Sequence, residues 1–270
     1  MNGILAQTAA LAAHAKARTV DARLGGNDTY WAAHSTFKYV KTLKFIGVKR
    51  GFFRSNQQEI ATTPSGWMAA LPPASVITFF SLGATSNLPA HVASAFVGRT
   101  REGIGVFSNS AGGIWVPSWS VTEDKSPEHR IWRVRYTMVE APDIPLRSMT
   151  VEQARKRLGN ILCQVAEFAG TDKWLSSWCE TFRKAEDTLD APNPVAPYHP
   201  DIIPPEGYTL AARQLLAAAV GGYVFGGMGS WNDGVPGSSD ARREYERLTA
   251  ELYAAVIDGL GVAINGGMTG

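Results

Sequence analysis

Residues 131–139 read Ile-Trp-Arg-Val-Arg-Tyr-Thr-Met-Val, and this stretch decides the class of fold. Large apolar side chains occupy every second position, namely Trp132, Val134, Tyr136 and Met138. The positions between them carry Arg133, Arg135 and Thr137. A period of two is typical of a strand with one buried face and one exposed face. The stretch therefore predicts a strand whose second face is polar and basic.

The sequence before this strand predicts its partners. Four further runs rich in β-branched and aromatic residues lie at 76–82, 91–97, 104–107 and 114–121. Residues 108–113 have the composition of a hairpin turn between the last two runs. Together the five runs predict an antiparallel sheet. Residues 36–48 fit the period of a helix and that of a strand equally well, so both interpretations stay open.

The sequence after this strand predicts helices. Thr150 and Gln153 form a capping box, and apolar residues then recur at helical spacing as far as Phe168. Three more helices are predicted: one after Asp172, one at 208–225, and a last one capped near Ser238. Strands followed by helices predict an α+β fold, since parallel dinucleotide-binding folds alternate the two.

The change of character near Met149 is also the best predicted boundary. Residues 1–148 form an N-terminal helix with the sheet and carry 16 Lys/Arg against 9 Asp/Glu. Residues 149–270 form the helical region and carry 10 against 15. Because no long linker separates them, we expect the two regions to pack as one compact unit. Six prolines between 192 and 205 predict an extended segment on the surface.

Composition limits the class of protein. The chain has 270 residues, of which 45% are hydrophobic and 19% charged, as in globular proteins. We expect no membrane span, because no apolar run approaches about 20 residues. The N-terminal run has no cation ahead of its apolar part, so an amphipathic helix is expected in place of a secretion signal. Cys163 and Cys179 fall on predicted helices, which favours two reduced thiols and a cytoplasmic protein.

Motif searches exclude several kinds of chemistry. The sequence contains no phosphate-binding Gly-x-x-x-x-Gly-Lys-Ser/Thr loop, no Gly-x-Ser-x-Gly nucleophile motif and no dinucleotide fingerprint. Two cysteines and five scattered histidines form no pattern of metal ligands. We therefore predict a protein without a cofactor and without a metal site.

The first candidate site is the glycine-rich stretch 226–234, Gly-Gly-Met-Gly-Ser-Trp-Asn-Asp-Gly. Its glycines allow the backbone to approach another group closely. Asp233 is the candidate acid or base here, and Ser230, Trp231 and Asn232 are candidate ligand contacts. The alternative interpretation is that Asn232 and Asp233 cap the turn into the last helix and that Trp231 packs in the core. The alternative is the more common role for these residue types.

A second set of candidates lies on the predicted sheet. Glu102 and His91 are candidate catalytic residues, although a solvated turn carboxylate and a structural histidine are the usual roles of such residues. Arg99, Arg133 and Arg135 are candidate ligands of an anion. As a general acid or base, Glu102 would have to be buried so that its pKa shifts toward neutrality.

A basic run also needs an interpretation. Six cations lie without an intervening acid, with phenylalanines between them: Lys38, Lys41, Lys44, Lys49, Arg50 and Arg54. Basic residues with interleaved aromatics occur in nucleic-acid-binding proteins. The isoelectric point of about 8.5 is below the range of dedicated binding domains, so nucleic acid is an unexpected partner. A small anionic ligand stays open, and a solvated or salt-bridged face is the favoured interpretation.

Two functions follow from these observations. We expect a cofactor-independent enzyme that acts on a small, anionic metabolite by acid–base chemistry. The alternative is a non-catalytic interaction or inhibitor protein, which is consistent with the lack of a nucleophile–base motif and with the many aromatic residues. Opposite charge in the two halves also predicts a homodimer.

Overall fold

The computed structural model describes residues 1–50, 55–84, 87–96, 100–108, 112–122, 129–140, 149–204, 206–226, 229–234 and 236–269. A six-stranded mixed sheet forms one layer, and eight α-helices occur in the described residues. The fold is therefore α+β with a helical C-terminal half, as the order of the predicted elements indicates.

The sheet has strands of seven to eleven residues. These are β1 (Val40–Arg50), β2 (Ser55–Ala61), β3 (Val76–Ala84), β4 (Thr100–Phe107), β5 (Gly112–Val121) and β6 (Trp132–Val139). Their order across the sheet is β2-β1-β6-β5-β4-β3. Val134 and Tyr136 on β6 are fully buried and Arg133 and Arg135 are exposed, which confirms the predicted alternation.

The prediction of a purely antiparallel five-stranded sheet is wrong in the number of strands and in their orientation, because the sheet has six strands and is mixed. The ambiguous segment 36–48 forms a short 3₁₀ turn at Ser35–Phe37 and then β1, which pairs with β6 in parallel. Leu43 lies beside Val134, and Phe45 lies beside Tyr136. The rings of Phe45 and Tyr136 stack with their centroids 5.3 Å apart, and this contact stabilises the parallel pairing.

The predicted strand at 91–97 is also wrong. Ala90–Ala93 forms a single helical turn, α4, directly after Pro89. Proline fixes φ near −65°, which suits the entry to a helix, and its missing N–H would interrupt a sheet. His91 therefore lies on a helix beside the sheet.

The N-terminal helix is the centre of the molecule. Helix α1 (Gly3–Val20) contacts strands β3, β4 and β5 on one side and the last helix on another. Its alanine-rich middle is buried from Leu5 to Ala15, so the predicted amphipathic helix is in fact buried on all sides. Small side chains let the sheet and the helices approach it closely.

Three short elements complete the N-terminal region. Helix α2 (Asp28–Ala33) precedes the 3₁₀ turn, and α3 (Pro64–Ala69) follows β2. Thr63 caps α3 by accepting a hydrogen bond from Gly66 N, and Pro64 in the first turn suits a position that needs no N–H donor.

The C-terminal half is helical, with α5 (Val151–Thr171), α6 (Ser177–Asp187), α7 (Leu210–Gly222) and α8 (Ser239–Gly266). The capping box of Thr150 and Gln153 is present at α5, and Ser238 caps α8. Asn265 near the end of α8 binds the edge strand β3: its Oδ1 accepts from Phe79 N at 2.7 Å and its Nδ2 donates to Phe79 O at 2.9 Å. The amide thereby occupies part of an otherwise unpaired sheet edge.

One helix among the described residues is long and apolar enough to cross a membrane by length and composition. This helix is α8, and 67% of its most apolar window is buried inside the molecule. Core helices pass the same criterion, so the finding is weak evidence for a membrane span.

Candidate functional site

A cavity of about 350 Å³ opens where the start of α1 meets the 3₁₀ turn, α4 and the ends of β5 and β6. Its lining comprises Asn2, Gly3, Ile4, Ser35, Thr36, Tyr39, Val40, Ser94, Ala95, Phe96, Trp119, Trp132 and His199. The volume suits a small metabolite, since ligand pockets span roughly 300–1,000 Å³. Because His199 is ionisable and Ser35 is hydroxylic, this wall of the cavity is the one that can carry proton-transfer chemistry.

Three polar side chains form a chain of hydrogen bonds at this wall. His199 Nδ1 lies 2.9 Å from Ser35 Oγ, and Ser35 Oγ makes a short hydrogen bond to Asp201 Oδ1. The second carboxylate oxygen, Oδ2, accepts from the backbone N–H of Ser35 at 2.6 Å. Asp201 thus holds both the backbone and the side chain of Ser35, which in turn contacts the imidazole.

The proline-rich segment brings His199 and Asp201 to the N-terminal region. The backbone carbonyl of Asp201 accepts a hydrogen bond from His34 Nε2 at 2.9 Å and also contacts the hydroxyl of Tyr30 at 3.3 Å. Ile202, the next residue, is fully buried. The segment that the sequence predicts as an extended surface stretch is therefore anchored at this point.

Burial keeps the neighbouring imidazoles neutral. It lowers the pKa of His14 to about 4 and also lowers the pKa of His34. Desolvation lowers the pKa of His199 as well. The carboxyl of Asp201 keeps a lowered pKa, because its hydrogen bonds from Ser35 outweigh the opposing effect of desolvation. At pH 7 the chain of groups consists of a carboxylate, a hydroxyl and a neutral imidazole.

The start of α1 faces the same cavity. The first intrahelical hydrogen bond runs from Ala6 N to Asn2 O at 3.0 Å, and the Asn2 side chain accepts from Leu5 N at 2.8 Å. The N–H groups of Gly3 and Ile4 precede these bonds, and both residues line the cavity. The positive end of the dipole of an 18-residue helix therefore lies at the wall of the cavity.

Aromatic side chains contribute much of the remaining lining, and none of the described residues there carries a formal charge. Trp119 and Trp132 lie side by side with ring centroids 5.5 Å apart. Tyr39 and Phe96 are 49% and 56% exposed, so they stand at the edge of the cavity. Such walls suit a ligand with an apolar or aromatic body.

Two other cavities in the described residues are less suited to catalysis. One, of about 280 Å³, lies at the opposite end of the sheet, and neither acids nor bases occur among its described lining residues, which include Trp67, Trp115 and Met138. The other is a polar groove between α5 and α8. Among the described residues, no group of three or more His, Cys, Asp or Glu side chains has an arrangement that could hold a metal ion.

The residues predicted from the glycine-rich stretch lie in a compact connection between α7 and α8. Trp231 is fully buried, and its Nε1 donates to Thr249 Oγ1 at 2.8 Å. Asp233 Oδ2 accepts from Gly229 N at 2.6 Å, at a glycine whose φ of +79° lies in the left-handed region. Ser230 Oγ donates to Gly226 O. The burial of Trp231 fits the core interpretation, whereas Asp233 closes its own loop and Ser238 caps α8. The ligand-binding role of the stretch stays a prediction.

The other sequence candidates are dispersed. Asn232 Nδ2 donates to the backbone oxygen of His91 at 2.9 Å, so these two predicted residues do meet. Glu102 is 1% exposed on β4, so the interpretation as a solvated turn carboxylate is wrong. Its charge adds to burial in raising the pKa of Tyr223, whose hydroxyl accepts from Asn2 Nδ2 at 3.3 Å.

Arg133 and Arg135 lie on the exposed face of β6, which points away from the helices. Arg99 lies outside the described residues. None of the other eight predicted site residues, all of which are described, lines any of the three cavities described above. The sequence signal that could have indicated the cavity is His199-Pro200-Asp201, two ionisable residues within an otherwise almost uncharged proline-rich stretch.

Comparisons with known proteins give no family for this site. No protein-family model matches the chain, and neither the curated proteins nor the solved structures contain a significant match. The residues of the cavity are therefore the evidence for the function of this chain.

Proposed function

We propose that this chain is a cofactor-independent enzyme that carries out acid–base chemistry on a small molecule bound in the cavity, with His199 as the general base. The observation that supports the proposal best is the chain of hydrogen bonds from Asp201 through Ser35 to a neutral imidazole on the cavity wall. Positioned imidazoles contribute about 10²–10⁴-fold to proton-transfer steps.

The cavity also limits the substrate. Its aromatic residues favour an apolar or aromatic body, and its described lining residues include no charged side chain that would hold a strongly anionic one. The N–H groups of Gly3 and Ile4 favour an oxygen atom that is negative or becomes negative during reaction. We therefore propose a small aromatic carbonyl compound, with any anionic group of the substrate directed at the start of α1.

Two probe reactions test this proposal. Exchange of the α-protons of phenylacetone in D₂O, followed by NMR, reports proton abstraction from carbon. Hydrolysis of p-nitrophenyl acetate reports activation of water. We expect His199→Gln to reduce at least one rate by about 10²-fold or more. His129→Gln is the matched control, because His129 is exposed and lies outside the cavity lining.

A non-catalytic interaction protein is the second candidate, favoured by a specific observation. Tyr39 and Phe96 at the cavity edge are half exposed, and Tyr198, next to His199, is 61% exposed. Exposed aromatics that surround a cavity are typical of surfaces that bind other proteins. Equal probe rates for the wild type and His199→Gln would favour this second function over the enzyme.

A further inference from the structure

We infer that Ser35 and Asp201 are positioning residues that hold His199 with its proton on Nδ1, so that Nε2 is the reacting base and Ser35 is not a nucleophile. The consequence for catalysis rests on the proposed function. The protonation pattern itself is a property of the free protein and is tested separately.

The inference follows from counting donors and acceptors. An ionised carboxylate only accepts hydrogen bonds. The backbone N–H of Ser35 is an obligate donor and occupies Asp201 Oδ2. The hydroxyl of Ser35 has a single proton, which must go to Asp201 Oδ1 because that oxygen has none to give. Ser35 Oγ is then an acceptor, and the donor that faces it is Nδ1–H of His199.

The hydrogen bond between Ser35 and His199 runs in the opposite direction to the one that a nucleophilic serine makes with its imidazole. In a serine nucleophile, the hydroxyl donates its proton to the imidazole that activates it. Here the hydroxyl proton points to the carboxylate, and the imidazole donates toward the hydroxyl. In the part of the chain that the structure describes, Ser35 is the hydrogen-bond partner of the His199 ring, so Nε2 keeps its lone pair for a molecule in the cavity.

The resulting reaction step is a single proton transfer. The C–H bond of a substrate, or an O–H bond of water, breaks, its electron pair stays on carbon or oxygen, and the proton binds Nε2. The imidazolium is then stabilised by Asp201 through Ser35, and it returns the proton to the product. No covalent bond to Ser35 forms, and no oxidant or further reactant is needed.

His34 serves as an internal reference, because its ring should carry the proton on the other nitrogen, Nε2. The backbone N–H of Thr36 donates to His34 Nδ1 at 3.2 Å, so this nitrogen must be the acceptor. The proton of neutral His34 therefore lies on Nε2, which donates to the carbonyl of Asp201. The two histidines should differ in protonated nitrogen within one sample.

The test is a long-range ¹H–¹⁵N NMR spectrum of the ¹⁵N-labelled protein at pH 7.5, with signals assigned by His199→Gln and His34→Gln. We expect His199 protonated on Nδ1 and His34 on Nε2. Asp201→Asn should reverse His199 alone. Its amide oxygen would accept from Ser35 N and its NH₂ would donate to Ser35 Oγ, so the hydroxyl proton would turn to His199 Nδ1. Asp233→Asn, a carboxylate of the α7–α8 connection, is the matched control and should change neither signal.

A fluorophosphonate reagent tests the role of Ser35 directly. We expect no labelling of Ser35, as detected by mass spectrometry of peptides. Labelling of Ser35, or a wild-type His199 protonated on Nε2, would overturn the inference. If His199 is protonated on Nδ1 and both probe reactions fail, the positioning of His199 stands and the proposed function fails.

Discussion

At the scale of single residues, His14 makes the stability of this protein depend on pH. Burial lowers its pKa from 6.5 to about 4 in the folded chain, whereas the unfolded chain regains the ordinary value. Between these two values the unfolded state binds the extra proton, so stability falls as the pH falls. The contribution is fully present above about pH 6.5, and the difference in pKa corresponds to about 3 kcal/mol lost by pH 4.

Urea unfolding between pH 4 and pH 7.5 measures this dependence. His14→Gln should be less stable at pH 7.5 but should flatten the curve, because a glutamine does not titrate. His129→Gln should leave the curve unchanged, since His129 is exposed. The lowered pKa values of His34 and His199 act in the same direction, so the variant retains part of the slope. An unchanged slope in His14→Gln would contradict the assignment.

At the scale of elements, the connection between α7 and α8 tests the first sequence candidate. If it is only a connection, Trp231→Ala should cost about 3–5 kcal/mol through lost packing. Asp233→Ala should cost about 0.5–2 kcal/mol through the lost acceptor for Gly229 N–H. Asp233→Asn keeps an acceptor and the shape, so its stability should be close to that of the wild type.

Asp233→Asn also distinguishes a structural role of the α7–α8 connection from a ligand-binding role. A thermal-shift screen against a metabolite library should give identical responses for the wild type and Asp233→Asn if the connection is structural. A compound that stabilises the wild type and not Asp233→Asn would establish a ligand site there. Since Trp231 is buried and Asp233 closes its own loop, we expect identical responses.

The elements that sequence predicts correctly are those whose signal is local. The alternation on β6, the capping box at Thr150 and the cap at Ser238 each depend on residues within a few positions, and each is present. The parallel pairing of β1 with β6 joins segments about 90 residues apart, and tertiary packing of Phe45 decides it. The strand predicted at 91–97 is wrong because Pro89 favours the start of a helical turn at Ala90–Ala93, and the β-branched residues nearby do not override it.

The candidate site was missed for the same physical reason. Ser35 and His199 are separated by 164 positions and meet only because the backbone of Asp201 binds the N-terminal region. No periodicity or local motif encodes such a contact. The glycine-rich connection, in contrast, is conspicuous in sequence because its backbone conformation needs a glycine at position 229.

At the scale of the whole molecule, the two halves share one interior. Buried residues from α1 and the sheet and from the C-terminal helices belong to a single hydrophobic cluster. Lys16 on α1 illustrates this, because its Nζ donates to the carbonyl of Asn265 on α8 at 2.7 Å. The division at 148/149 and the description of both regions as one compact unit stay predictions.

Opposite charge on the two halves predicts association of two chains. Arg133 and Arg135 lie on an exposed sheet face, and the helical region has an excess of acids. A two-fold pair of contacts between these surfaces would close into a dimer, the commonest symmetric assembly. We expect light scattering at micromolar concentration to give twice the 29.1 kDa mass of one chain.

Two charge-reversal variants test the predicted dimer. Arg135→Glu should shift the protein toward the monomer, because it places an acid against the acidic helices of the partner. Lys173→Glu makes the same change in charge at an exposed position between α5 and α6 and should leave the mass unchanged. Added salt should weaken the wild-type dimer, since the attraction between exposed charges is largely screened beyond about 8–10 Å at 0.1–0.15 M salt. A mass near 29.1 kDa for the wild type at low salt would contradict the predicted dimer. It would favour the alternative in which the two halves neutralise each other within one chain.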